Sequence, residues 1–136
     1  MAGVDREGRL PLHYAALENN AAEARRRLAA GDDPNLGDRQ GFTPLHLAAQ
    51  QWSMDVAKLL LDHGTAVDRS NMFGNTPLFV AVFNSKGRGN LIALLRQKGA
   101  DPLKANSTGQ TPVGLARLIG NYDVAQFFAD LPPEKA

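Results

Sequence analysis

Three histidines, a carboxylate pair and a glycine-flanked arginine are the residues of this 136-residue chain best suited to chemistry. His13 and His46 occupy matching strings, PLHYAA and PLHLAA, and side by side they could serve as a general base or as two metal ligands. No third ligand stands at a recognisable spacing, and no H-E-x-x-H motif occurs. His63 falls near a helix end, where a histidine simply favours the helix dipole. Asp32 and Asp33 could share acid and base roles, but their surroundings read as a turn, where aspartate is ordinary. Gly87-Arg88-Gly89 has the look of a phosphate cradle, yet it lacks the later glycine, the Lys-Ser pair and the strand that such loops need. Without cysteine there are no disulfides, thiolate metal sites or thiol nucleophiles. Fifteen basic against 14 acidic residues leave a net charge of +1, and only Arg25 to Arg27 run consecutively, which gives nucleic acid no basic footprint. Neither catalysis nor a cofactor or metal is expected.

The elements that position these residues repeat. GRLPLHYAA from Gly8, GFTPLHLAA from Gly41, GNTPLFVAV from Gly74 and GQTPVGLAR from Gly109 are copies of one pattern, at offsets of 33, 33 and 35. The offsets recur at Pro11, Pro44, Pro77 and Pro112, and at Ala15, Ala48, Ala81 and Ala116; Gly31, Gly64 and Gly99 form a second glycine column. Thr43, Thr76 and Thr111 precede a proline, so the hydroxyl caps a starting helix whose first position proline suits. The alanines let neighbouring helices approach closely. A second helix follows in VAKLLLDHG and LIALLRQKG, and Gly64 stands where a helix-ending residue needs positive φ. Polar turns rich in Asp, Asn, Ser and Gly join the units.

With its Thr-Pro-Leu-His box, paired helices and the Gly99-Ala100-Asp101 exit, the chain resembles the ankyrin-repeat family over roughly residues 5 to 131. The resemblance implies an all-α repeat protein: a solenoid of four helix-turn-helix units with short hairpin-like connections, forming one domain over 1–136. The units fall at about 5–37, 38–70, 71–105 and 106–131, followed by a short C-terminal tail over 132–136; with its two prolines and charge, Leu131 to Ala136 is expected to fray. It also implies that His13 and His46 make structural hydrogen bonds between turns. Leu10, Arg26 and Arg27 in the first unit, and Gly114 and Arg117 in the last, depart from the pattern as the two water-facing ends of a stack should. Met1 to Arg9 carries no secretory signal and no stretch reaches the apolar length of a membrane helix, so a cytoplasmic protein is expected, monomeric on its own.

In this family partners usually dock on the concave surface of hairpin tips and first helices. Phe42, Met72, Phe73 and Phe83 gather there in adjacent units, with Arg39, Gln50, Gln51 and Asn75 as polar companions. Each aromatic taken alone fits an ordinary packing role, whereas the cluster points to binding. A second edge is the two-residue insert of the third unit within FNSKGRGN, where Lys86 and Arg88 offer positive charge and stacking brings Trp52 close. A tolerated surface insertion shielded by Trp52 explains that edge equally well. The expected function is therefore a non-catalytic, stoichiometric binder that inhibits or regulates another protein. The FNSKGRG and IGNYDV segments are similar to stand-alone bacterial members of the family, some of which act as toxin immunity proteins. The alternative is a general adaptor that binds peptide segments, against which both end units look like caps.

Overall fold

A computed structural model describes residues 3–132. Four helices begin at the four repeated prolines: α1 Pro11–Leu17, α3 Pro44–Gln51, α5 Pro77–Phe83 and α7 Pro112–Leu118. Between them lie α2 Ala21–Ala29, α4 Met54–Asp62 and α6 Asn90–Gln97. The α1, α3, α5 and α7 helices pack side by side in one layer, with α2, α4 and α6 behind them in a second. Threonine hydroxyls start three of the first helices, Thr43 accepting from His46 N at 3.3 Å, Thr76 from Phe79 N at 3.3 Å and Thr111 from Gly114 N at 2.9 Å. Leu10 has no such oxygen, and there His13 Nδ1 accepts the Leu10 N–H at 2.9 Å instead.

Between the layers runs one apolar seam. Leu12, Leu45, Leu78 and Val113 supply its inner column, Val56, Leu60, Leu91 and Leu95 its outer one, and Ala15, Ala48, Ala81 and Ala116 let the first helices close up. Each wholly buried leucine contributes on the order of 2 kcal/mol.

The hairpins are held by a column that is easy to overlook in the sequence. Asp5, Asp38, Asn71 and Asn106 each turn a side-chain oxygen back onto two backbone N–H groups, two and four residues ahead, at 2.9 to 3.0 Å. Successive tips are then tied backbone to backbone, Arg39 N to Glu7 O at 2.8 Å, Met72 N to Gln40 O at 2.8 Å and Ser107 N to Phe73 O at 3.1 Å. Glycine is required beside these ties. Gly41 has φ +81°, and a Cβ there would lie 2.9 Å from the Asn71 backbone; at Gly109 a Cβ would meet nothing within 4 Å among the described residues.

Both ends depart from the middle. In α2 only Ala24 is buried, and the arginines that replace leucines make ion pairs, Arg26 with Glu23 and Arg27 with Asp32. The second helix expected of the fourth unit is not an α-helix but a 3-10 helix, Ala125–Phe128. Gly120 to Asp123 use up the start of that segment as a loop, and Pro132, which has no N–H to donate, ends it four residues after Phe128. Val124 and Phe128 still complete the core. The expected frayed tail is also corrected at its beginning: Leu131 packs on the core, and Arg117 holds Leu131 O at 3.3 Å and Pro132 O at 2.9 Å. Residues 133–136 lie outside the described residues.

Candidate functional site

His13 and His46 do not face each other as a reactive pair. Each ring is buried and divided between two backbone groups. His46 Nδ1 accepts Thr43 N–H at 3.1 Å while Nε2–H donates to Asn75 O at 2.8 Å, in the next unit; His13 links Leu10 N–H to Leu36 O at 3.0 Å in the same way. Since Nδ1 accepts, both rings are neutral with the proton on Nε2. Burial, only partly offset by the carbonyl each donates to, lowers both pKa values, that of His46 to about 4. Asp32 and Asp33 part company. Asp32 accepts two bonds from Arg27, at 3.0 and 3.1 Å, and Asp33 accepts Asn35 N–H at 2.9 Å. His63 caps the end of α4. Among the described residues no three His, Cys, Asp or Glu side chains stand together as metal ligands.

The concave face is where sequence-predicted residues meet. Phe42, Gln50, Phe73, Asn75 and Phe83 line one hollow of about 450 Å3 with Phe79, Val80 and Asn84. The hairpins deliver Phe42, Phe73 and Asn75, α3 delivers Gln50, and one face of α5 delivers the rest. Phe73 is 49% and Phe83 71% exposed, whereas Phe42 is half-buried in edge-on contact with the His46 ring at 5.6 Å and the Phe73 ring at 6.5 Å. Met72, 61% exposed, sits at the same tip outside the hollow. Gln51 is exposed beside Gln50, and Arg39 spans two hairpins by donating to Arg6 O at 3.0 Å.

Phe79 is the lining residue that sequence reasoning missed. Its signal was present, because it occupies the histidine position of the Thr-Pro-Leu-His box. In the second unit that side chain reaches Asn75 O of the next unit, and in the first it reaches Leu36 O at the end of its own; here it faces the hollow.

The insert edge is more built than a loop of glycines suggests. Trp52, at a left-handed φ of +57°, is only 8% exposed. Its Nε1–H donates to Asn90 Oδ1 at 2.8 Å, and the Arg88 guanidinium lies 4.5 Å from the ring centre. Arg88 also donates to Ser85 O at 2.8 Å and Asn84 O at 2.9 Å. Trp52 and Arg88 thus fasten the insert internally and leave little indole surface to a partner. On its other side the insert abuts the fourth unit, where Gly89 is so close to Phe127 that a Cβ would overlap the ring at 2.2 Å. Lys86 remains exposed and lines a second hollow of about 350 Å3, together with Val82, Phe83, Leu115, Ile119 and Tyr122. Phe83 is common to both hollows.

A third hollow, about 600 Å3, lies at the first unit among Asp5, Arg9, Tyr14, Glu18 and Glu23. Its polar groups serve one another: the Tyr14 hydroxyl donates to Asp5, and Arg9 pairs with Asp38 at 3.1 Å while lying over the Tyr14 ring.

No helix among the described residues is long and apolar enough to cross a membrane. No curated protein matches the chain. The family model for ankyrin repeats, in three copies, matches residues 12–106, a span that holds the caps at Thr43 and Thr76, both buried histidines and the whole of the aromatic hollow. With its helix-pair solenoid, its hairpin ladder and that match, the chain belongs to the ankyrin-repeat family, whose stacked units are protein–protein interaction modules.

Proposed function

We propose that this chain is a non-catalytic, stoichiometric binder that inhibits or regulates a partner protein by docking it on the concave face around Phe42, Phe73, Phe79 and Phe83. One observation carries the reading. Four phenylalanines from two units converge on a single hollow, two of them about half exposed or more, where a surface without a partner would be polar. The histidines support a non-catalytic reading, because both ring nitrogens of each are engaged with backbone groups inside the protein. Arg39, Gln50, Gln51, Met72 and Asn75 form the polar and flexible rim. Lys86 extends the face toward the fourth unit, while Trp52 and Arg88 keep the insert in place. The free protein is a monomer in this reading, in keeping with first and last units whose Arg27 and Arg117 are engaged within the chain. Neutralisation of a toxin is a narrower form of this function, suggested by the similarity of the FNSKGRG and IGNYDV segments to stand-alone bacterial members of the family, some of which act as immunity proteins.

The test is capture from native cell extract with the natural chain and with a Phe42→Ala, Phe73→Ala, Phe83→Ala variant of unchanged helicity. Recovery of one protein in a one-to-one complex by the first and not the second supports the reading; equal recovery by both removes the concave face as the site.

A further inference from the structure

Two hollows lie on either side of Phe83, one toward the second unit and one toward the fourth. Their walls are aromatic, aliphatic or amide, with one exception. Lys86 is the single ionised side chain among the lining residues, and among the described residues its ammonium has neither a hydrogen-bond nor an ion-pair partner. Its neighbour in the insert differs sharply: Arg88 spends its guanidinium on Ser85 O, Asn84 O and the Trp52 ring.

The backbone that carries Lys86 is fixed. Ser85 is fully buried and donates to Arg88 O at 2.6 Å, Lys86 itself is held at a left-handed φ of +53°, and Gly87 lies against Tyr122. An L-residue rarely adopts that φ, so the surrounding contacts hold it there. The result is a cation on a fixed backbone, at the edge of the apolar groove that the two hollows make on either side of Phe83, whose lining includes no anionic side chain.

We propose that the occupant of this groove is an amphipathic segment of a partner protein, whose apolar side chains fill the hollows flanking Phe83 and whose carboxylate pairs with Lys86. This rests on the concave face being the docking surface and names the chemistry it selects. An isolated ammonium beside apolar walls rewards an anion and penalises a cation, so it sets the orientation and choice of the segment more than its gross affinity.

Selection of random dodecapeptides displayed on phage against the full chain tests this. The expected sequences combine aromatic or aliphatic residues with Asp or Glu, and selection against Lys86→Glu exchanges the acids for Lys or Arg. For one enriched peptide, replacing its acid by the amide should weaken binding about threefold to fivefold with the natural chain and not at all with Lys86→Ala. Peptides that need Phe83 but are indifferent to the charge at position 86 would overturn the carboxylate assignment and leave the docking face standing. Absence of enrichment over the Phe42, Phe73, Phe83 triple alanine variant would overturn both. Concentration-dependent self-association of the natural chain, lost in the triple variant, would identify a second copy as the occupant and also overturn the proposal.

Discussion

The junction between the second and third units and the junction between the third and fourth are built on the same plan, but at the position where one has His46 the other has Phe79. His46 takes an N–H at its own helix start and gives a proton to Asn75 O across the junction, so the ring works as a strut. The Phe79 ring has no hydrogen-bonding atom; the third unit keeps its helix cap through Thr76 but not the strut, and the ring becomes part of a hollow. Where the third unit gives up the interaction that the second makes, its side chain is released for the surface. The difference adds to exposure as a reason for including Phe79 in the proposed docking face.

The largest effect should come from removing the strut. His46→Ala leaves the Thr43 N–H and the Asn75 C=O without the ring and opens a void in a fully buried position. A loss of about 3 to 4 kcal/mol is expected, read as a lowered urea midpoint. Phe79→Ala should cost less than half of that, since Phe79 is only half-buried. Equal losses at the two positions would erase the distinction between strut and surface.

Acid should weaken the same junction. The neutral ring is the form that fits, and burial lowers the His46 pKa from 6.5 to about 4. The unfolded chain therefore takes up the proton first as pH falls. The stability that depends on the neutral ring is fully present above about pH 6.5, is lost progressively toward pH 4, and falls no further on this account below it. One such group contributes up to about 3 kcal/mol across the window, and His13, shifted in the same direction, adds to it. Thermal melts from pH 7.5 to 4 should show the decline, and a His46→Gln variant should show a shallower one. A slope unchanged by the substitution would mean that the carboxylates dominate the acid response.

How much of this was legible beforehand follows from what repeats. Threonine, proline, alanine and glycine columns announce the helix starts, the packing face and the turns, because each type has one local job that needs no knowledge of the partner unit. Phe42, Phe73 and Phe83 stood out as large apolar residues at positions the array turns outward. The hairpin clamp at Asp5, Asp38, Asn71 and Asn106 was not legible, since it alternates acid and amide and depends on which N–H groups the turn presents. The burial of Trp52 was one of two readings left open, and it is decided by Asn90 and Arg88, 38 and 36 residues further along. The shortened second helix of the last unit follows from the Gly120 to Asp123 loop and Pro132, whereas the hold of Arg117 on Leu131 O and Pro132 O is a contact no local propensity encodes.

Phe79→His should sharpen the contrast by restoring the missing strut. The new ring would reach for the carbonyl of Gln110, which occupies the position of Asn75 in the following hairpin. A gain of about 1 kcal/mol is expected, the usual net worth of such a bond, together with a weaker hold on any ligand of the aromatic hollow. A stabilised variant that binds undiminished would show that Phe79 is not part of the docking face.

The smallest expected change in stability concerns Phe42. Around it the hairpin clamp is incomplete. Asp38 turns its second oxygen to Arg9, and Asn106 donates its Nδ2–H to Asn75 Oδ1 at 2.8 Å. Arg9, Phe42 and Asn75 are equivalent positions, one per unit, so the buried Asn71 Nδ2, which has no partner among the described residues, faces a phenylalanine where its counterparts find a polar group. Phe42→Asn would give that donor an acceptor, as Asn75 does for Asn106, at the cost of the ring's contacts with His46 and Phe73. The two terms are each on the order of 1 to 2 kcal/mol and opposite in sign, so stability should stay within about 1 kcal/mol of the natural chain. Phe42→Ala loses the ring without supplying the acceptor and should fall below Phe42→Asn by about 1 kcal/mol. Urea titrations of the three proteins measure the order directly. If asparagine is no better than alanine, Asn71 is not held back by Phe42. If the order holds while Phe42→Asn loses the partner, then Phe42 is kept at a position where the fold itself would do as well with an amide, and binding is what it supplies there.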